Sequence, residues 1–388
     1  MQPDAAARIV AFLESRLDAY LIDLPALVSL DSYSFDRDDV NRVVDWLESR
    51  LRALRFSVER YPQEKAGDDL LAVRRGSGAG RVLLLGHSDT VFPRGTAAAR
   101  PMTAQGDKIL GPGACDMKGG LLAGLYAVEA LDAVGFDGYE RVAFLVVSDE
   151  EIDDRHSIPL IRRACRDADA VLTLEAARAN GDIVTARKGI RSFQAEAHGR
   201  AAHAGVEPEK GCNAILALAH QVVALEALND RANGITLNVG YIEGGRLRNV
   251  VPDYARINFE VRAFTREDLD RVTASILSLF EREPVPGVRF TVSHQESSPP
   301  MPRTAAVARL EALAGEIAGR LGFTVRGAGT GGAGDAAFAA DEGVPVLDGL
   351  GPVGGADHSP DEYILRSSIV PRTALLAMLI AAVGQVEK

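Results

Sequence analysis

Apolar residues in the first part of the chain follow two different spacings, one typical of helices and one typical of buried strands. Helical spacing runs through residues 5–30, 39–54 and 119–134. Strand-like runs, several of them continuously apolar as in a sheet covered on both faces, occupy residues 56–61, 69–75, 82–87, 141–147 and 169–174. This alternation predicts an α/β unit with a mixed, mostly parallel sheet flanked by helices.

The pattern changes after residue 187. Four segments then alternate polar and apolar side chains, as strands with one exposed face do, at residues 192–197, 235–242, 255–263 and 288–293. Helical spacing over 211–228 and 266–281 completes the order βαββαβ, which predicts a ferredoxin-like α+β layer. We therefore expect an inserted domain at residues 188–296.

The α/β pattern returns near the end of the chain. A proline-rich stretch at 297–302 is interpreted as a linker. After it, the spacing predicts helices at 305–321 and 367–383 and a buried strand at 345–347. Residues 1–187 and 297–388 are therefore expected to form one catalytic domain around the insert.

Composition and charge narrow the possible functions. The chain has 388 residues, enough for two domains, with 47% hydrophobic and 25% charged residues, as in globular proteins. Its formal net charge is -11. Binding to nucleic acid needs a basic surface, so this balance argues against a nucleic-acid partner.

The cysteines and the termini suggest a compartment. Cys115, Cys165 and Cys212 are far apart and odd in number, which is not a disulfide framework and fits a reducing environment. Residues 1–20 do not resemble a signal peptide, and the longest apolar segment, 369–383, is too short to span a bilayer. We expect a cytoplasmic protein with no membrane partner.

Polar residues with metal-binding chemistry follow several of the predicted strands. His87 ends one apolar run, Glu150 and Glu151 follow another, and Glu175 ends a third. The carboxyl ends of strands in an α/β sheet meet at one edge, so these side chains are expected to converge. Each residue alone is more often structural, since a loop histidine or a solvated acidic loop is common.

Three further segments have both functional and structural interpretations. Asp116 lies in a glycine-rich turn before a helix and could bridge two metals or cap the helix. Asp89 lies two residues after His87 and could accept its imidazole N–H. His358 lies in a polar loop. Cys115 is interpreted as a small buried thiol, and the glycine-rich segment 327–334 lacks the Lys-Ser/Thr ending of a phosphate-binding loop.

Taken together, these segments resemble the M20 family of metallopeptidases and aminoacylases over nearly the whole chain. The resemblance rests on the motifs Gly-His-Ser-Asp-Thr at 86–90, Gly-Ala-Cys-Asp-Met-Lys-Gly-Gly at 113–120 and Ser-Asp-Glu-Glu at 148–151. It implies two Zn²⁺ ions, with Mn²⁺ or Co²⁺ as alternatives. It also implies that the bond between Asp116 and Met117 is cis.

The resemblance assigns roles to the residues in the catalytic domain. It implies that Asp116 bridges the two metals, that Asp89 orients His87 and that Glu150 is the general base. The implied metal ligands are His87, Asp116, Glu151, Glu175 and His358.

The resemblance extends to the insert, which would be a dimerisation or lid domain. It implies that His203 stabilises the oxyanion in the active site of a partner subunit, and that Asn249 and Arg262 bind the substrate carboxylate or the oxyanion. Gly331 and Gly332 resemble a loop lining the substrate pocket. The segment at 186–189 varies in this family, so the resemblance does not identify the residues of the leaving-group pocket.

The resemblance therefore implies a homodimeric two-metal hydrolase that cleaves an amide bond next to a C-terminal amino acid. The expected substrates are small N-acyl amino acids or short peptides, with release of glutamate from N-acyl-glutamate or folate-type compounds favoured. An aminoacylase, a dipeptidase or a carbamoylase is the alternative within the family. A remote alternative is an inactive metal-binding relative that acts as a scaffold.

Overall fold

The computed structural model describes residues 5–152 and 156–385. The chain divides into two compact units, each with its own hydrophobic core. The first comprises Met1–Ala186, Arg303–Gly329 and Gly334–Lys388. The second comprises Arg187–Pro302 and Thr330–Ala333.

Helices and strands alternate through the described part of the chain. The helices are α1 Ala5–Val28, α2 Arg37–Ala53, α3 Thr96–Ala99, α4 Gly119–Ala133, α5 Ile158–Cys165, α6 Ala214–Glu226, α7 Arg266–Phe280, α8 Ala305–Arg320, α9 Ala336–Asp341 and α10 Arg366–Ala382. The strands are β1 Ser57–Tyr61, β2 Asp69–Arg75, β3 Arg81–His87, β4 Thr103–Gln105, β5 Lys108–Leu110, β6 Arg141–Val147, β7 Ala170–Thr173, β8 Ile183–Arg187, β9 Gly189–His198, β10 Thr236–Gly244, β11 Tyr254–Ala263, β12 Arg289–Ser298, β13 Gly327–Thr330, β14 Val346–Leu347, β15 Gly354–Gly355 and β16 Tyr363–Leu365.

The main sheet of the first unit has six strands in the order β1-β2-β6-β3-β7-β14. Strands β6, β3, β7 and β14 are parallel, while β1 and β2 are antiparallel to their neighbours. The central strands β3 and β6 are buried along almost their whole length, because helices such as α4 and α10 cover the sheet. Helix α4 is buried nearly all round, which explains why its sequence has no polar face.

The second unit is a four-stranded antiparallel sheet in the order β10-β11-β9-β12, packed on α6 and α7. Its element order along the chain is βαββαβ. Helix α7 starts at Thr265, whose hydroxyl accepts the backbone N–H of Asp268 at 3.1 Å. The predicted fold class is therefore confirmed: an α/β unit with a mostly parallel sheet and an inserted ferredoxin-like α+β unit.

Two parts of the structure differ from the pattern-based prediction. Residues 297–302 are not a free linker, because β12 continues to Ser298 and the backbone of Met301 pairs with that of Arg187 at 2.9 and 3.0 Å. The short strands β4, β5, β15 and β16 form a separate four-stranded sheet that the sequence pattern does not predict. Strands of two or three residues are too short to show a period.

Within residues 5–152 and 156–385, no helix combines the length and the apolar character needed to cross a lipid bilayer.

Candidate metal centre

Three adjacent parallel strands bring the predicted ligands to one edge of the main sheet. His87 is the last residue of β3 and pairs with Val147 at the end of the neighbouring β6. Glu150 and Glu151 follow β6 in a single helical turn, and Glu175 follows β7 on the other side of β3. Because the carboxyl ends of these strands lie side by side, residues 24 to 88 positions apart in sequence share one site.

Two ligand sets form there and share Asp116. In the first, His87 Nε2 lies 2.9 Å from Asp116 Oδ1 and 3.6 Å from Glu175 Oε1. In the second, His358 Nε2 lies 3.0 Å from both Asp116 Oδ2 and Glu151 Oε2. Within each set, the ligand atoms all lie within 4.8 Å of one another. Asp116 thus directs one carboxylate oxygen toward each set, which is the geometry of a bridging ligand.

The residues of both sets fit divalent transition metals. Imidazole nitrogen and carboxylate oxygen are the usual ligands of zinc, manganese and cobalt at catalytic sites. Oε1 of Glu151 is buried and has no hydrogen-bond partner among the described residues. A buried carboxylate oxygen without a donor is costly, and a cation would compensate it.

The pKa values of the metal-free site also favour a bound cation. Burial, followed by the charge of Asp116, raises the pKa of Glu151 to about 8 and that of Glu175 to about 7. The hydrogen bond to Asp116 is the main cause that raises the pKa of His358 to about 9. Burial opposes ionisation of Asp116, but hydrogen bonds from His358 and His87 outweigh it and lower its pKa. The site has more carboxylates than its two histidines can neutralise.

Asp89 lies behind His87. The nearest acceptor to His87 Nδ1 is the backbone oxygen of Asp89 at 3.0 Å, and the Asp89 carboxylate Oδ1 is 3.4 Å away. The other carboxylate oxygen accepts the hydroxyl of Ser34 at 2.7 Å and the backbone N–H of Glu151 at 3.2 Å. Asp89 therefore connects a residue of the first ligand set to one of the second, and its backbone oxygen accepts from the imidazole and orients it.

Glu150 is the unengaged carboxylate of the site. It is half-buried, and it has no hydrogen bond or ion pair with any residue of the described chain. Burial raises its pKa well above the ordinary value, and the nearby charges of Asp335 and Glu175 add to this effect. A carboxylate with these properties is suited to accept and release a proton.

Glu362 is a site residue that sequence reasoning missed. It is buried, and its two oxygens accept three backbone N–H groups, those of Gly113 at 2.9 Å, Cys115 at 2.8 Å and Asp116 at 3.0 Å. It lies four residues after His358, so it ties the loop of one ligand to the loop of another. Its position in the acidic segment 357–362 was the only signal in the sequence.

The local backbone at the site departs from regular geometry. The peptide bond between Asp116 and Met117 is cis, as the family resemblance implies. His358 has a φ of 62°, in the left-handed region that non-glycine residues rarely adopt. Cys115 is a buried free thiol, in agreement with its structural interpretation.

The second unit contains the other predicted site residues. The loops of His203 and Asn249 run side by side, with the backbone N–H of Ala204 donating to Asn249 O at 3.0 Å. The backbone N–H of Gly205 donates to His203 Nδ1 at 3.1 Å. This bond assigns the proton of a neutral imidazole to Nε2, so the exposed ring can donate from its outer nitrogen.

Arg262 and Gly331 are 69 residues apart in sequence and are in contact within the second unit. Arg262 Nη1 donates to the backbone oxygen of Gly331 at 2.9 Å, and Nε donates to Glu260 at 2.7 Å. Gly332 accepts from Arg187 at 3.2 Å. Two of the five guanidinium donors of Arg262 are thus used, and its Nη2 has no partner in the described part of the chain.

The α/β fold and the paired ligand sets define a metal-dependent hydrolase. Residues 83–382 match the sequence profile of peptidase family M20/M25/M40. The chain is also 30% identical to carboxypeptidase G2 of Pseudomonas sp. (strain RS-16), over 94% of this chain and 89% of that protein. The protein therefore belongs to peptidase family M20/M25/M40.

Two further proteins that are similar to this chain have different names. Acetylornithine deacetylase of Proteus mirabilis is 26% identical over 96% of this chain and 97% of its own length. Among solved structures, aminopeptidase PepT from Bacillus cereus superposes with a TM-score of 0.80 at 21% identity, over 95% of this chain and 98% of that one. The second comparison supports the fold alone.

Proposed function

We propose that this protein is a two-metal amide hydrolase that uses Glu150 as its general base. The observation that carries the proposal is the pair of ligand sets sharing Asp116, with an unpaired carboxylate beside them. We assign His87, Asp116 and Glu175 to one metal and Asp116, Glu151 and His358 to the other. Two Zn²⁺ ions fit this ligand set, and Mn²⁺ or Co²⁺ are alternatives.

Bound metals would supply Lewis-acid polarisation and a water of lowered pKa. Glu150 accepts a proton from the attacking water and then delivers it to the departing nitrogen, so one carboxylate serves as base and acid in turn. In the metal-free site its raised pKa makes Glu150 a stronger base than an ordinary carboxylate, which favours the first role. Asp89 holds His87 in the tautomer that leaves Nε2 free to bind metal.

We assign the second unit to substrate recognition. The Nε2–H of His203 donates to the developing oxyanion in the site of a partner subunit, as the family resemblance implies. Arg262 binds the substrate carboxylate with its remaining guanidinium donors, and Asn249 adds a donor to the carboxylate or the oxyanion. Gly331 and Gly332 line this pocket. The arrangement selects substrates with a free C-terminal carboxylate.

We further propose that the released residue is glutamate, from N-acyl-glutamate or folate-type substrates. Support comes from the 30% identity to a protein named carboxypeptidase G2. The alternatives are an aminoacylase, a dipeptidase or a carbamoylase, and the likeness to an acetylornithine deacetylase favours the first of these. Three buried, unpaired cysteines support the expectation of a cytoplasmic, reducing environment.

The homodimer is also a proposal, and an apolar surface of the second unit supports it. Leu216 and Val223 lie one above the other on α6 and are 48% and 74% exposed. Strand β10 is an edge strand, with Ile242 56% exposed on it. An apolar helix face together with an unpaired strand edge is suited to pair with a second copy of the chain.

The deciding experiment measures hydrolysis of N-acyl-glutamates, folate, dipeptides and N-acetyl amino acids with added zinc, manganese or cobalt. We expect turnover of substrates with a free carboxylate and no turnover by Glu150→Ala, which should keep its metal content by elemental analysis. The matched control is Glu64→Ala at an exposed glutamate. Near wild-type activity of Glu150→Ala sinks the assignment of the base. A wild-type protein that binds metal and substrate without turnover identifies the inactive scaffold instead.

A further inference from the structure

The sheet of the second unit carries a second cation on the same face as Arg262. Arg262 on β11 pairs with Thr236 on β10 and with Ile190 on β9. Lys188 lies immediately before β9, and its side chain reaches the hydroxyl of Thr236, the residue that pairs with Arg262. Its Nζ donates to the hydroxyl of Thr236 at 3.3 Å, directly beside the position of Arg262.

Lys188 is buried without a counter-charge. It is 9% exposed, and in residues 5–152 and 156–385 no carboxylate lies within ion-pair distance of its ammonium group. Its surroundings are the Thr236 hydroxyl and the ring of Phe264, 5.4 Å from Nζ. Burial lowers the pKa of Lys188, and the neighbouring charge of Arg262 lowers it further.

Arg191, on β9 itself, shows how a buried cation is usually neutralised. It is 8% exposed, and its guanidinium pairs with Asp270 at 2.9 Å and with Glu296 at 3.3 Å. The buried cation on the other side of the sheet is thus neutralised by two acidic side chains, as burial of a charge requires. On the face with Lys188 and Arg262, the carboxylate of Glu260 pairs with Arg262. The two cations therefore share one negative charge, which leaves a local surplus of one positive charge.

We propose that Lys188 is a specificity residue that binds a second carboxylate of the substrate, the one on the side chain of the C-terminal residue. The planar fork of Arg262 suits the α-carboxylate, and the compact ammonium of Lys188 provides a point charge for the other. Residues that are diagonal to each other on neighbouring strands are roughly 7–8 Å apart at the backbone. Side chains as long as those of Lys188 and Arg262 can therefore contact the same ligand. The ligand class is an amino acid with an acidic side chain, joined through its nitrogen to an acyl group. This inference rests on the proposed function and names the part of the site that makes it selective for glutamate.

The test compares N-acyl-glutamate with N-acyl-glutamine, which has the same shape and a neutral side chain. We expect Lys188→Met to raise KM for the glutamate substrate about tenfold or more with little change in kcat, because one charge-assisted hydrogen bond is lost. Hydrolysis of the glutamine substrate should stay within about threefold of wild type by the same reasoning. Lys188→Arg should keep most of the preference for glutamate, and Lys65→Met, at an exposed lysine, should change neither substrate.

Folding does not confound this comparison. Methionine has nearly the size of lysine without its charge, so Lys188→Met removes a buried unpaired cation and should leave the unfolding temperature unchanged or raise it. Equal losses on both substrates would mean that Lys188 supports Arg262 or the sheet, and the proposal would be wrong. An unchanged preference for glutamate would also overturn it.

A binding measurement separates this inference from the proposed function. N-acetyl-glutamate and N-acetyl-glutamine are titrated calorimetrically into Glu150→Ala and into Glu150→Ala with Lys188→Met. We expect tighter binding of the glutamate compound only where Lys188 is present. If that holds while the wild type hydrolyses nothing, the hydrolase proposal fails and the anion subsite stands. If the wild type hydrolyses neutral substrates and binds both compounds equally, the hydrolase proposal stands and the subsite fails.

Discussion

Glu362 accepts the backbone N–H of Asp116 at 3.0 Å, so a buried carboxylate holds the one residue that both ligand sets share. The same side chain accepts from Gly113 and Cys115, the residues just before Asp116. It therefore holds the backbone from which the Asp116 carboxylate extends toward His87 and His358. The precision of a two-metal site depends on such supporting contacts as much as on the ligands.

Glu362→Gln should weaken metal binding without removing a ligand. An amide has one acceptor oxygen, so at least one of the three N–H groups would lose its acceptor and face an NH₂ group. We expect metal affinity to fall about 10- to 100-fold, the range typical of groups that orient ligands. Competition with a chromogenic chelator measures it. Asp361→Asn, at the exposed neighbouring position, is the control, and equal affinities for the two variants would contradict the supporting role.

His203 and Glu150 should complement each other between subunits. His203→Ala is expected to lower kcat about 10²- to 10³-fold, because an oxyanion donor is lost. Mixed dimers of His203→Ala and Glu150→Ala would contain one complete site if His203 serves the partner, and none if it serves its own subunit. Refolding the two variants together and measuring turnover tells the two cases apart. Activity that stays at the level of the separate variants contradicts the assignment in trans.

The metal-free protein should lose stability as pH rises. The pKa of Glu151 is raised to about 8, that of Glu175 to about 7 and that of His358 to about 9. A group whose pKa is raised by folding stabilises the fold below its unfolded pKa, and this contribution is lost as pH rises through its folded value. Stability should therefore fall from about pH 4.5, the ordinary pKa of a glutamate, to about pH 9, the pKa of His358 in the folded protein.

Bound zinc favours the ionised carboxylates and should remove this trend. The increase in unfolding temperature on adding zinc is thus expected to be larger at about pH 8 than at about pH 6, by scanning calorimetry against a chelator-treated sample. Glu151→Gln removes one titrating group, and its metal-free unfolding temperature should depend less on pH. A metal-free unfolding temperature that rises over this range contradicts the expected sign.

The apolar face of α6 provides a test of the homodimer. Leu216→Glu with Val223→Glu places two like charges on a surface proposed to pair with a second copy, and burial of such charges is unfavourable. We expect the mass by light scattering to fall to that of a monomer, together with loss of activity if His203 acts in trans. Ile22→Glu, at a residue 72% exposed in the first unit, is the matched control. A double variant that keeps the dimer mass rules out this face.

Periodicity identified the architecture because these elements are long and their burial is regular. The apolar runs before His87 and Glu150 are β3 and β6, and the order βαββαβ is that of the second unit. The four short strands β4, β5, β15 and β16 were missed because they are too short to show a period, and the extension of β12 through Ser298 was also missed. The bulge between Glu296 and Ser298 lets pairing with β9 continue through a proline-flanked segment.

The sequence by itself predicted the candidate ligand set, because histidine and carboxylates that follow strands, together with the family motifs, favour a metal site. Only the tertiary structure decided which groups hold that set in place. Glu362 on Asp116, Ser34 on Asp89 and Lys188 beside Arg262 are contacts between loops or strands with no motif of their own. Such contacts depend on side-chain direction and on which loops the fold brings together, and neither quantity has a local signature in the chain.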